Sequence, residues 1–147
     1  MRISIEDLKS DIIERFGKET GGTFFGLDET IYDYLTDGLI IKIVHYRDKN
    51  NGRSYKITFK EVVCCRIAQE SYIHEFEEEI WEGFSFFWTN KNSRFKKDFN
   101  SWSTYDGFFS IEHYNNLEAY RVGGQNNFID ILTTEKPIIE LLETDKL

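Results

Sequence analysis

The chain has 147 residues, of which 40% are apolar and 30% charged, with a single proline. That length supports one domain over residues 1–147 with a real core, and the composition excludes a disordered tail, a collagen repeat and a disulfide scaffold. The 26 acidic against 18 basic side chains leave a net charge of −8, the wrong sign for neutralising phosphates, so nucleic acid is not the expected partner.

The N-terminal segment reads as a helix from about Ser4 to Gly17. Ile5, Leu8, Ile12, Ile13 and Phe16 recur at three- and four-residue steps, Ser4 is placed to cap, and Gly17 can end it. A short helical turn is expected around Asp28 to Leu35, with Ile31, Tyr34 and Leu35 on one side. From Leu39 the period changes to two: Leu39, Ile41, Ile43 and His45 share one face, and Ile40, Lys42, Val44 and Tyr46 the other. Asn51-Gly52 is a hairpin signal, and Tyr55, Ile57 and Phe59 then alternate with Lys56, Thr58 and Lys60. A third strand over about Val62 to Ala68 completes an expected meander near residues 39–68.

Glu70 to Glu82 is ambiguous, since Tyr72, Phe76 and Ile80 keep helical spacing while Phe84 to Thr89 is strand-like in its aromatics. Phe95, Phe99 and Trp102 suggest a short helix. Phe108 to Ile111 suggests a strand. A hairpin is expected near residues 117–133, from Leu117–Val122 through the turn Gly123-Gly124-Gln125-Asn126 to Phe128–Thr133. Pro137 opens a last helical turn with Ile138, Ile139, Leu141 and Leu142. The expected fold is therefore α+β, a mostly antiparallel sheet with an N-terminal helix and short additional helices.

The longest apolar run, Leu39-Ile40-Ile41, falls far short of the roughly 20 residues of a spanning helix. Glu6 and Asp7 interrupt any signal-peptide core, so a cytoplasmic location and no membrane partner are expected. Cys64 and Cys65 are adjacent and in a strand would point to opposite faces, which argues against a disulfide between them and for two small buried apolar-like residues.

No nucleophile elbow and no phosphate loop occur, and carboxylates are too plentiful for one acid–base pair to stand out. No catalytic residue is therefore assigned, and an enzyme is not expected. His74 with Glu77 and Glu78 would share one side of a helix and suit a divalent ion. The same spacing also describes a solvated acidic helix face, and without a second ligand group no metal or cofactor is expected. His45 and His113 have no partner in sequence.

The charge distribution is the most informative feature. Between Glu61 and Glu82 seven acidic residues face a single basic one, Arg66. Glu75, Glu77, Glu78, Glu79 and Glu82 around Trp81 form a candidate partner-binding site: the ring would supply desolvated contact area and the charges rate and selectivity. The other reading places Phe76, Ile80 and Trp81 in the core with the glutamates merely solvating the outside. Lys91, Arg94, Lys96 and Lys97 form a small basic patch suited to phosphate, to the acidic region of a second copy, or to plain surface.

The run Tyr55–Val62 leading to Arg66 and Glu70, together with His113-Tyr114, Ala119–Val122, Phe128–Thr133 and Pro137, resembles small acidic proteins of Gram-positive bacteria encoded near polymorphic secreted toxins, of the YxiG-like, immunity-like type. The resemblance implies stoichiometric inhibition in the cytoplasm, with the partner a basic cognate toxin domain, and transfers no active-site residue. The leading expectation is a non-enzymatic protein-interaction module, most concretely a toxin-neutralising immunity protein. The alternative is a small-molecule- or metal-binding domain whose ring-rich middle lines a pocket. A homodimer through an open sheet edge, for instance along Phe128 to Thr133, is a further expectation.

Overall fold

The computed structural model describes residues 1–16, 25–36, 38–45, 53–69, 77–102, 115–124 and 127–143. Among the described residues, two antiparallel five-stranded sheets and two helices make an α+β fold. Sheet A runs in the order β1 (Arg2–Ile3), β10 (Ile138–Glu143), β4 (Arg53–Phe59), β3 (Gly38–His45), β2 (Phe25–Asp33). Sheet B runs β5 (Val62–Gln69), β9 (Asn127–Thr133), β8 (Glu118–Gly123), β7 (Phe87–Lys91), β6 (Ile80–Phe84).

The inward rows of both sheets meet in one core. Ile41, Ile43, Tyr55, Ile57 and Phe59 come from sheet A, and Phe87, Tyr120, Val122, Ile129 and Ile131 from sheet B. The period of two read in β3 and β4 is the reason: alternate residues point to one face, and that face is buried. The first helix, α1 (Ile5–Phe16), adds Leu8 and Ile12 to this core. Ser4 caps it, its Oγ accepting from the Asp7 amide at 3.0 Å, and Glu6 and Asp7 suit the positive end of the helix dipole. Ile5, expected on the packing stripe, is exposed. A second, smaller core lies on the outer face of sheet B, where Phe95 and Phe99 of α2 (Arg94–Trp102) cover Leu117, Ala119 and Leu132.

Several sequence expectations are corrected. Residues 28–33 are strand rather than helical turn. β2 pairs with β3 from Phe25↔His45 to Asp33↔Gly38, with a bulge between Leu27 and Glu29. Ile31, Tyr34 and Leu35, whose spacing suggested a helix, are all exposed, so no helical face is buried to stabilise one.

The expected three-strand meander keeps two of its members, since β3 and β4 pair as expected but β5 leaves for sheet B and pairs with β9. The departure is at Lys60-Glu61, where Glu61 has φ of 50°, a left-handed conformation that re-aims the chain. Thr133 clamps this corner, its hydroxyl lying 2.7 Å from the Lys60 carbonyl oxygen and 3.2 Å from that of Glu61.

The aromatic run 84–89 is a hairpin rather than one strand. Ser85, at φ 61°, and Phe86 form its two-residue turn, the positive φ matching the primed turns that fit strand twist. Phe86 is fully buried and plugs the main core, 4.9 Å from the Phe25 ring and 5.2 Å from that of Tyr55. This burial explains why the turn looks like a strand in composition.

Residues 138–143 are strand β10, not a helical turn. Ile139 and Leu141 enter the core, and β10 pairs with β4 along six residues and with β1 at its other edge. The apolar pattern of Ile138, Ile139, Leu141 and Leu142 serves either period, and the sheet decides it. Pro137 precedes the first paired residue, so its missing amide costs no ladder bond.

The expected 117–133 hairpin is present, but β9 lies between β5 and β8, so Phe128–Thr133 is not an open edge. Of the ambiguous stretch, residues 80–84 are strand. Residues 70–76, the Asn51-Gly52 turn and the expected strand at Phe108 to Ile111 lie outside the described residues.

Candidate functional site

The acidic segment singled out in the sequence sits on the last described strand of sheet B and the turn before it. Glu77 and Glu78 are exposed in that turn, Glu79 is half-buried, and Glu82 is exposed on β6; Glu75 lies outside the described residues. Strand alternation sends Trp81 to the opposite face from Glu82. There its ring is taken up within the chain, with the Arg121 guanidinium 4.2 Å from its centroid.

The fold brings the basic patch against the acidic segment. Lys91 Nζ is 3.1 Å from Glu82 Oε1, as β6 and β7 pair, and Arg94 Nη1 is 3.9 Å from Glu78 Oε1. Glu79 reaches the start of α2, accepting from the Arg94 amide at 3.4 Å and from Asn90 Nδ2. The ion pairs are solvent-exposed at both ends, and such pairs are worth about 0–1 kcal/mol. They reduce the local negative field without locking it.

Beside them, a groove of about 480 Å³ runs between the end of β7, the start of α2 and the start of β8. Asn90, Ser93, Lys96, Lys97, Leu117 and Glu118 are among its lining residues. Lys96 Nζ donates to the Leu117 carbonyl oxygen at 2.8 Å. Burial lowers the Lys96 pKa, and Glu118 opposes that shift. Asn90 Oδ1 is buried with no hydrogen-bond donor among the described residues. The Tyr120 hydroxyl bonds Glu118, and its pKa is pushed well up, first by burial and then by that carboxylate.

A second ionic cluster escaped the sequence reading as a unit. Cross-strand register places Arg66, Asp130, Arg121 and Trp88 in one row over β5, β9, β8 and β7. Asp130, whose side chain is only 7% exposed, accepts from Arg66 Nε at 2.8 Å. It also accepts from Arg121 Nε at 2.7 Å and from Nη2 at 3.2 Å, a two-pronged geometry. The Arg121 guanidinium additionally lies 3.8 Å from the Phe128 ring centroid, and that of Arg66 lies 4.5 Å from Phe95. Two cations thus share one anion between aromatic faces. Arg121 and Asp130 flank a glycine-rich turn, a signal available in the sequence once the hairpin register is known. Arg66 is 64 positions from Asp130, and no local pattern connects them.

Cys64 and Cys65 are free thiols of intermediate exposure. As the alternation implied, Cys65 packs on the main core and Cys64 on the smaller one. Burial raises both thiol pKa values, which leaves little reactive thiolate near neutrality. Among the described residues no group of three or more His, Cys, Asp or Glu side chains could hold a metal ion, and no helix is long and apolar enough to cross a membrane. His74 and His113 lie outside the described residues. Compared with protein-family models, curated proteins and solved structures, the chain has no match in any of the three.

Proposed function

We propose that this chain is a non-enzymatic protein-interaction module whose acidic segment engages a basic protein. Its most concrete form is a cytoplasmic immunity protein that binds and neutralises a cognate bacterial toxin domain. The observation that carries this reading is the placement of Glu77, Glu78 and Glu82 on an outer strand and its preceding turn, with the Glu78 and Glu82 carboxylates in solvent-exposed ion pairs to Arg94 and Lys91. Because each such pair contributes about 0–1 kcal/mol, a partner's cations can replace Lys91 and Arg94 at little cost. The exposed carboxylates would speed encounter with a cationic surface, and Ile80, exposed on the same strand, would add apolar contact.

The test is capture of the tagged chain's partner from its own host at low and high salt, with identification by mass spectrometry. A single basic protein in one-to-one amount, released as salt rises, is the expected result. A partner that is acidic, or retained equally at high salt, contradicts the reading. The groove beside Asn90 favours a second reading, a small-molecule site, because Asn90, whose buried Oδ1 has no donor among the described residues, is one of the residues lining that space. A ligand seated there would raise the melting temperature, so a thermal-shift screen over metabolites and metal ions separates the two.

A further inference from the structure

The outer edge of sheet A differs from the rest of the surface. β2 is its last strand among the described residues. Four large apolar side chains within five positions are exposed there: Ile31 at 45%, Tyr32 at 48%, Tyr34 at 78% and Leu35 at 82%. Single exposed apolar residues are ordinary, but four within five positions along one edge strand and its turn, Ile31 on one face and Tyr32 on the other, point to an interaction surface. The turn presenting Tyr34 and Leu35 is internally braced, since Asp33 Oδ1 accepts the Leu35 amide at 3.0 Å and the Asp33 carbonyl oxygen accepts the Thr36 amide at 3.2 Å. These side chains are therefore held out by an ordered backbone, which lowers the entropy lost on contact.

Edge strands are commonly guarded against pairing by lysine, proline or a bulge. Residues 29–33, Glu-Thr-Ile-Tyr-Asp, contain neither lysine nor proline, and the bulge of β2 falls before them, leaving this stretch in regular register with β3. The edge is thus shaped to accept another strand.

Charge decides which strand. Asp28, Glu29 and Asp33 are all acidic, and residues 25–36 contain no Lys or Arg. The cation paired with Asp28, Lys42, stands at 4.0 Å with both side chains solvated, a weak contact. A second copy is a poor occupant: the two-fold antiparallel pairing that overlaps residues 28–33 in full sets Asp28 opposite Asp33, and like charges opposed across strands are destabilising. We infer that the outer edge of β2 takes up an extended basic segment of a partner protein as a sixth strand, its cations facing Asp28, Glu29 and Asp33 and its apolar residues meeting Ile31, Tyr32 and the Tyr34-Leu35 turn. This surface is separate from the acidic segment of β6, and the inference does not rest on the reading proposed for that segment.

The probe is a blocked peptide, acetyl-Val-Val-Lys-Tyr-Val-Thr-Lys-Lys-amide, titrated into the full ¹⁵N-labelled chain while amide shifts and hydrogen exchange are followed. Peptide-dependent shifts and slowed exchange at residues 29–33 are expected. The double variant Asp28→Lys/Glu29→Lys should weaken binding by at least about tenfold through like-charge repulsion. Leu35→Ser, at a position 82% exposed, should weaken it more modestly with the fold untouched. Glu78→Lys/Glu82→Lys should leave the affinity unchanged, which separates this surface from the acidic segment. Shifts centred on residues 80–84 would overturn the inference, as would no response at 29–33 at millimolar peptide. Self-association of the chain that by itself protects residues 29–33 would overturn it too, by making a second copy the occupant.

Discussion

Sheet B and the elements flanking it carry two ionic clusters built from the same kinds of side chain, and burial sets them apart. In the Arg66–Asp130–Arg121 row the carboxylate is almost fully enclosed, the distances are 2.7–3.2 Å, and aromatic rings flank both guanidiniums. In the Glu78–Arg94 and Glu82–Lys91 pairs both partners are wet and one distance reaches 3.9 Å. A buried pair is expensive to break from one side, because the remaining charge has no water to return to. An exposed pair exchanges with solvent, salt or a partner's cation almost freely. Charge enclosed by the fold and charge left in solvent are thus separated on one sheet and its flanking elements.

Breaking the buried row should have the largest effect. Asp130→Ala leaves Arg121, only 12% exposed, without this anion, while Arg66, 35% exposed, can turn to water; the cost should be about 3 kcal/mol of stability, read from urea unfolding. A cost as small as that of an exposed pair would erase the distinction between the clusters. Next comes the corner that sends β5 into sheet B. Thr133→Val removes the hydroxyl bridging the Lys60 and Glu61 carbonyls and should cost about 1–3 kcal/mol by the same measurement.

A pH scan sharpens the comparison at the groove. Burial and the Glu118 carboxylate raise the Tyr120 pKa, so the unfolded chain ionises this phenol first. Stability is then intact below the ordinary tyrosine value of about 10 and falls as pH rises above it, by up to about 1.4 kcal/mol per pH unit for this one group. Tyr120→Phe should flatten that part of the alkaline limb relative to the parent chain. The smallest effect belongs to the exposed pairs: Glu82→Gln should change stability by less than about 1 kcal/mol.

What was legible in the sequence follows from how local its cause is. The Ser4 cap and the α1 stripe, the alternation of β3 and β4, and the Phe95–Phe99 spacing of α2 are each set within a few residues, and the structure has all three elements. The misread segments are those whose conformation is decided by remote partners. Residues 28–33 and 138–143 become strands because β3 and β4 offer them ladders. Phe86 sits in a turn because the core has room for its ring between Phe25 and Tyr55. The same logic holds for the candidate site. The acidic run was visible as composition, whereas its pairing with Lys91 and Arg94 needed the β6–β7 hairpin, and the Asp130 row needed three strands in register.

The most direct test of the account is the association rate of the captured basic partner with the chain and with the exposed triple variant Glu77→Lys/Glu78→Lys/Glu82→Lys, followed by stopped flow across a salt series. The account predicts a variant that folds normally, associates at least about tenfold more slowly at low salt, and shows a flatter salt dependence. An unchanged rate and an unchanged salt slope would contradict it, and would leave the acidic segment as solvated surface.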